Sequence, residues 1–463
     1  MVVETGIEQF TAGLRGQLIQ QGDAEYEEAR HTFNGMIDRR PRFIARCTDV
    51  ADVIACVNFA REEGLLLSIR GGGHNVVGFA TNDGGLVIDL SPMKGIRVDP
   101  QKRTVLAQGG CTWGGVDHAT HAFGLATPSG VVSTTGVGGL TLGGGMGHLT
   151  RPFGLTCDNL LSADVVTADG QFVMANEKEN SDLYWALRGG GGNFGVVTSF
   201  EFSLHPVSTV YGGPIFWELD RATDAMKHWR DFILQAPTEL NVVFGILIIP
   251  AEEPFPEHLH NKKVCGAVVC YTGALERAEE VVRPLKEFGP PIMDGTGPVP
   301  YPILQTAFDP TSPFGMLQYW KGDFFAELSS EAISAFVKFG SGVHNIFSGA
   351  VMYSLNGGLQ RLRKDETAWS YRDANFSTVI FAVDTDATVM SERRQWARDL
   401  WSAMHPYSAG GAYVNFLMDE TDEGQDRVAA SYRDNYPRLA QIKRKYDPGN
   451  LFRMNQNIKP ASA

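Results

Sequence analysis

Ser68-Ile-Arg-Gly-Gly-Gly-His-Asn75 decides how this chain is read. The apolar run 65–69 predicts a buried strand, and three glycines then strip every side chain from the backbone ahead of His74. With no Cβ, such a loop adopts positive φ without steric cost and lets a ligand approach more closely than other residues permit. An imidazole fixed just beyond it can hydrogen-bond, bind a metal or form a covalent bond to a cofactor. A lone Gly-Gly-His would be a turn with a structural histidine. The segments further out argue against that reading.

Gly136-Val-Gly-Gly-Leu-Thr-Leu-Gly-Gly-Gly-Met-Gly147 runs into His148-Leu-Thr-Arg-Pro-Phe-Gly-Leu-Thr-Cys-Asp-Asn159. A third glycine segment is Trp185-Ala-Leu-Arg-Gly-Gly-Gly-Gly-Asn-Phe-Gly-Val-Val-Thr198, and the far end carries Tyr413-Val-Asn415 and Lys445-Tyr-Asp-Pro-Gly-Asn-Leu-Phe-Arg453. Together with the histidine loop and Gly78, and in this order, the segments resemble the flavin-binding motifs of the vanillyl-alcohol oxidase superfamily, in its bacterial berberine-bridge-enzyme-like branch. The resemblance covers nearly the whole chain; only the middle, 209–410, carries little recognisable pattern.

That resemblance implies an α+β fold: a two-lobed flavin-binding domain, and a substrate domain with an antiparallel sheet backed by helices. It implies FAD bonded to His74. The cofactor contacts it implies are Arg70, Gly71, Gly72, Gly73, Asn75, Gly78, Ser129, Gly138, Gly139, Gly143, Gly144, Gly145, Gly147, His148, Asp158, Asn159, Val197, Tyr413 and Asn415. Asp158-Asn159 reads equally as a turn with an Asx cap. The implied reaction passes hydride from a small or medium-sized alcohol or amine to flavin N5, with dioxygen as acceptor and peroxide as product. A flavin dehydrogenase with another acceptor, or a non-catalytic flavin-binding protein, would share the same motifs.

The chain departs from the family pattern in two places. Val132 stands where many relatives carry a cysteine that forms a second bond to the flavin, so a single attachment through His74 and a smaller or more enclosed substrate are expected. Phe416 stands where the family often has the tyrosine that serves as base. Phe416 carries no proton, so a replacement must come from the substrate sheet: Tyr353 is the candidate base, with Tyr271, His344 and His405 as others. Phe416 and Tyr271 are expected near the substrate. An amine, oxidised in its neutral form, would need no base.

Gly190-Gly-Gly-Asn-Phe-Gly195 has the spacing of a dinucleotide-binding loop. That mechanism needs a strand before the glycines and a helix after them. Here 181–188 reads as helix and 196–202 alternates as strand, so the order is reversed and the Rossmann reading fails. The glycines of 136–147 suit a backbone anion nest instead, with Gly143, Gly144 and Gly145 the expected phosphate contacts.

Composition agrees. The chain has 463 residues, too many for one core, so more than one domain is expected: 1–208 for flavin (core about 37–208), 209–410 for substrate, and 411–463 returning to the flavin domain. The 52 glycines exceed the usual ~7% and are concentrated before residue 200, where the motifs lie. A net charge of −13 argues against a nucleic-acid partner. No run approaches the ~20 apolar residues of a membrane span, and the acidic opening does not read as a secretion signal. The six scattered cysteines lack metal spacing and read as free thiols, so no metal site and a cytoplasmic location are expected. A monomer or homodimer is also expected. The stretch 290–313, rich in proline and glycine, reads as a long loop, either a surface insertion or a shaper of substrate access.

Overall fold

The computed structural model describes residues 2–418 and 425–462, so part of the returning segment 411–463 lies outside the described residues. The strand entering the histidine loop, Leu67–Arg70, pairs in parallel with Leu86–Asp89. That strand pairs in parallel with Phe43–Arg46, and Gln17–Gln20 closes a four-stranded sheet antiparallel. Parallel neighbours need a crossover, supplied by helix Val50–Glu62. Asp49 caps this helix by accepting from the amides of Ala51 and Asp52, and Gly64, at φ +64°, follows its end. Its buried Val53, Cys56, Val57 and Ala60 fall on one helical stripe against the sheet. Strand Gln17–Gln20 has only four residues, too few to show alternation in sequence.

The second lobe is a five-stranded antiparallel sheet in the order Ile96–Asp99, Thr104–Gln108, Val196–Ser203, Leu160–Val166, Phe172–Asn176. Its first hairpin turns where Asp99 Oδ1 accepts from the amides of Gln101 and Lys102. Helix Trp113–His121 packs beside Ile96–Asp99.

The eight-stranded antiparallel sheet follows, running from Thr209–Glu218 through Lys263–Tyr271, Leu240–Ile248, Gly349–Ser354 and Phe376–Asp384 to Leu317–Phe325. Helices Ala222–Gln235, Ala278–Lys286, Ser330–Gly340 and Met390–Met404 cover one face. Strand alternation sends Met352, Ile380 and Tyr319 into that helical core, and Val351, Tyr353, Val379 and Phe324 to the opposite face. Cys265 and Cys270 likewise enter different cores, and all six thiols are free.

The stretch 290–313 is not the structureless loop expected. Met293–Asp294 and Gly297–Pro300 add to the outer edge of Thr209–Glu218, and helix Tyr301–Gln305 and a turn at Asp309–Thr311 follow. Prolines are tolerated on such an edge because their missing N–H would have no ladder partner. Among the described residues no helix is long and apolar enough to cross a membrane.

Candidate functional site

The loop 71–75 leaves the first sheet and lies against the second lobe so closely that a Cβ on Gly72 would stand 2.4 Å from the Gly136 amide nitrogen. Gly73 has φ +72°. Among the described residues, no protein group accepts from the amides of Gly71, Gly72, Gly73, His74 or Asn75. The Asn75 side chain is turned inward instead, accepting from the amides of Val77 and Phe79. A cleft of about 290 Å³ opens beside Gly71, Gly72 and Gly73, lined also by Arg46, Lys94 and Arg70. Arg70 is buried, donates to the Ala29 carbonyl, and leaves Nε and Nη2 without partners. Buried donors are rarely left unsatisfied. Free amides and the two unpartnered guanidinium nitrogens of Arg70, whose Nη1 also lies 3.9 Å from Asp89 Oδ2, fit the diphosphate of a dinucleotide.

His74 stacks on Phe33 at 4.1 Å and meets the edge of Phe314 at 5.0 Å. Its Nε2 lies 2.9 Å from Thr134 Oγ1. Burial lowers its pKa to about 3, outweighing an upward pull from the Thr134 carbonyl, so the ring is neutral at physiological pH and keeps a lone pair.

The second glycine run is used differently from expectation. Gly138 and Gly139 lie within helix Val137–Leu142. The amides of Gly143 and Gly144 donate to the carbonyls of Gly139 and Thr141, Gly145 donates to the Tyr413 hydroxyl at 2.8 Å, and Gly147 donates to Thr150 Oγ1 at 2.8 Å. With their donors spent inside the protein, Gly143, Gly144 and Gly145 do not form the expected phosphate nest; the free amides are those of 71–75. These glycines instead admit side chains: a Cβ would meet Asn415 at Gly143, Trp369 at Gly144 and Thr156 at Gly145. Tyr413 and Asn415 are thereby held against the run, with Asn415 Nδ2 donating to the Tyr413 hydroxyl at 2.7 Å.

The side chains of Asp158 and Asn159 are also committed within the protein, which favours the structural reading of this pair. Asp158 forms a buried two-point pair with Arg372 at 2.6 and 2.7 Å, and Asn159 Oδ1 meets His205 Nε2 at 2.6 Å. Ser129 is buried and accepts from Gln305 Nε2 at 2.8 Å. His148 is buried beside Phe308, with neither ring nitrogen partnered, and burial lowers its pKa to about 4. Gly78, at φ +80°, packs on Ile37, and Val197 lies in the second lobe's core.

The uncovered face of the large sheet closes over this region. Trp320, Phe381 and Phe416 are half-buried there beside Val351, Val379 and Tyr353. Asn34 joins the sheet to the histidine loop, donating to Gln318 O at 3.0 Å and Val76 O at 2.6 Å. Tyr353 is in place, but as a phenol whose pKa burial raises. A base needs a pKa near the operating pH, so this upward shift counts against Tyr353 as the base. Tyr271 lies in the helical core on the other face of the sheet, away from this wall. His405 bonds to Asp323 and stacks on Trp401, and His344 lies against Trp396; both belong to the helix side. Phe33, Thr134, Phe314, Trp320 and Phe381 were missed by sequence reading. None carries a local motif, and they meet only through the fold.

Residues 41–176 match the FAD binding domain family, and residues 412–459 match the berberine and berberine-like family. The chain is 32% identical to an FAD-linked oxidoreductase of Dictyostelium discoideum, over 98% of this chain and 97% of that protein. It is 30% identical to (R)-6-hydroxynicotine oxidase of Paenarthrobacter nicotinovorans, over 96% of this chain and 97% of the relative. The crystal structure of 6-hydroxy-D-nicotine oxidase from Arthrobacter nicotinovorans superposes with a TM-score of 0.84 at 28% identity, covering 97% of this chain and 98% of that one. With relatives matched end to end around a loop that fits a dinucleotide, this chain belongs to the berberine-bridge-enzyme-like branch of the vanillyl-alcohol oxidase superfamily and is an FAD-dependent oxidase.

Proposed function

We propose that this oxidase holds its FAD by one covalent bond, to His74, and oxidises a small, uncharged, aromatic or alicyclic amine or alcohol. The observation that carries the attachment is the imidazole of His74 fixed within a run of five free amides, 71–75, with Val132 rather than a thiol in the neighbouring segment. The amides of 71–75 and the Arg70 guanidinium would meet the diphosphate charge. Tyr413 and Asn415 would line the ring end from the C-terminal segment.

When bound, the flavin supplies the hydride acceptor and passes the electrons on to dioxygen. The protein's part is to place the substrate and exclude water. Trp320, Phe381, Phe416 and Val351 offer an apolar aromatic wall, poor in hydrogen bonds for a sugar and well suited to a flat ring. Tyr353 makes no hydrogen bond among the described residues, so its neutral O–H is free to donate to a substrate nitrogen or oxygen. An amine that reacts as the free base fits this wall best, and a relative named for 6-hydroxynicotine supports the same class. Six free thiols suit a reducing compartment, and we read the protein as cytoplasmic, acting as monomer or homodimer.

Acid precipitation tests the attachment. The wild-type pellet should stay yellow and His74→Ala should release its flavin; a colourless wild-type pellet would sink the claim. Anaerobic mixing with aromatic amines, alcohols and oligosaccharides tests the substrate class. Faster flavin bleaching by an oligosaccharide than by any amine would refute it.

A further inference from the structure

Thr134, whose hydroxyl meets His74, sits in a segment tied to the substrate domain. The Ser133 amide donates to Asp309 Oδ1 at 2.8 Å, and the Ser133 hydroxyl donates to Asp309 Oδ2 at 2.5 Å. Asp309 opens the short turn Asp309–Thr311 that follows helix Tyr301–Gln305. A few residues on, Phe314 meets the edge of the His74 ring, and the chain is pinned there by Gly315 N–H to Phe33 O at 3.0 Å and Gly35 N–H to Met316 O at 2.8 Å. The stretch 306–316 therefore touches the imidazole twice, through Phe314 and through the Asp309–Ser133–Thr134 connection.

A neutral imidazole has one N–H and one lone pair, and the partner at one nitrogen fixes the role of the other. Thr134 offers Nε2 a hydroxyl oxygen, and its carbonyl also favours a ring N–H. Nδ1 has no partner among the described residues. We propose that Asp309, acting through Ser133 and Thr134, is a positioning residue that holds His74 with its proton on Nε2, leaving Nδ1 as the nucleophile that bonds the 8α-carbon of FAD. The proposal rests on attachment at His74.

The step balances with the oxidase's own acceptor. One bond forms between Nδ1 and the 8α-carbon, and one C–H bond of the methyl group breaks. The methyl proton and the Nε2 proton leave, two electrons pass onto the flavin, and dioxygen takes two electrons and two protons as peroxide.

The test follows attachment, not turnover. Apoprotein from riboflavin-depleted cells is mixed with FAD; bound flavin is read by tryptophan quenching and attached flavin by in-gel fluorescence after acid precipitation. Thr134→Val, which keeps the carbonyl, should bind FAD with wild-type affinity and attach it about tenfold more slowly, the kinetic weight of one hydrogen bond. Asp309→Ala, which frees the segment carrying both acceptors, should be slowed at least as much. Asp309→Asn should fall between, and Thr134→Ser should attach at the wild-type rate. Attachment by Thr134→Val at the wild-type rate overturns the proposal. So does a parallel loss of FAD affinity and attachment that Thr134→Ser does not rescue, since that marks mere packing. A wild type that releases its flavin on denaturation overturns the His74 bond itself, a failure distinct from the other two.

Discussion

The rings of Tyr353 and Phe416 lie 6.2 Å apart and inclined by 34°, while Tyr413 meets the edge of the same Phe416 ring at 4.8 Å. Three aromatic side chains from two parts of the chain thus form one corner of the wall. Burial raises the pKa of both tyrosines. Tyr353→Phe should therefore lower the rate of flavin reduction by about tenfold or less, the loss of one donor. Loss of a general base would cost ~10²–10⁴-fold. Anaerobic stopped-flow reduction separates the two, and a thousandfold loss would restore Tyr353 as base.

Asp158 and Arg372 form a two-point pair in which both side chains are almost fully buried. Removing one partner of such a pair leaves a charge without compensation and costs about 3–5 kcal/mol. Asp158→Asn should shift the denaturant midpoint down accordingly, and adding Arg372→Met should recover part of the loss. If the single variant unfolds at the wild-type midpoint, Asp158 is not structural and the cofactor reading reopens.

Glycine geometry gives a paired test of the histidine loop. A methyl at Gly72 would press on the Gly136 backbone, which cannot yield as a side chain can, whereas Gly139 has nothing within 4 Å of the corresponding position. Gly72→Ala should push the loop off the second lobe and abolish flavin retention. Gly139→Ala should retain flavin at the wild-type level. Equal retention in both would mean that the close approach is not needed.

What the sequence shows of this protein depends on range. Helix Val50–Glu62, with its Asp49 cap and the Gly64 that follows, and the hairpin across Asp99 are written in adjacent residues. The His74 loop was legible for the same reason: its chemistry is local. Glycine runs are less informative, because a glycine that admits a ligand and one that admits Asn415 or Thr156 look alike until the partner is seen. The environments of Tyr353 and Tyr271 were equally hidden. Each lies near the end of an apolar strand, and only the sheet's register shows that they enter opposite cores. The Phe33–His74–Phe314 cluster joins residues far apart in sequence and left no local trace.

Stability against pH should have two limbs with different owners. His148 is buried and His205 half-buried, and desolvation lowers the pKa of each to about 4. Their contribution is present above the ordinary histidine value of 6.5 and is lost as pH falls toward the folded values. Asp117 gives the opposite slope. It is buried in helix Trp113–His121, neither carboxylate oxygen has a partner, and burial raises its pKa well above 3.8. A carboxyl with a raised folded pKa contributes stability that is complete below the unfolded value and lost as pH rises, by about 1.4 kcal/mol per pH unit until the folded value is passed. Asp117→Asn keeps the shape without the titration. Thermal midpoints measured on the holoenzyme from acid to alkaline pH should show the variant gaining steadily on wild type above pH ~4. A constant offset at every pH would mean that Asp117 finds a compensating partner and titrates normally, and the alkaline limb would then belong to another group.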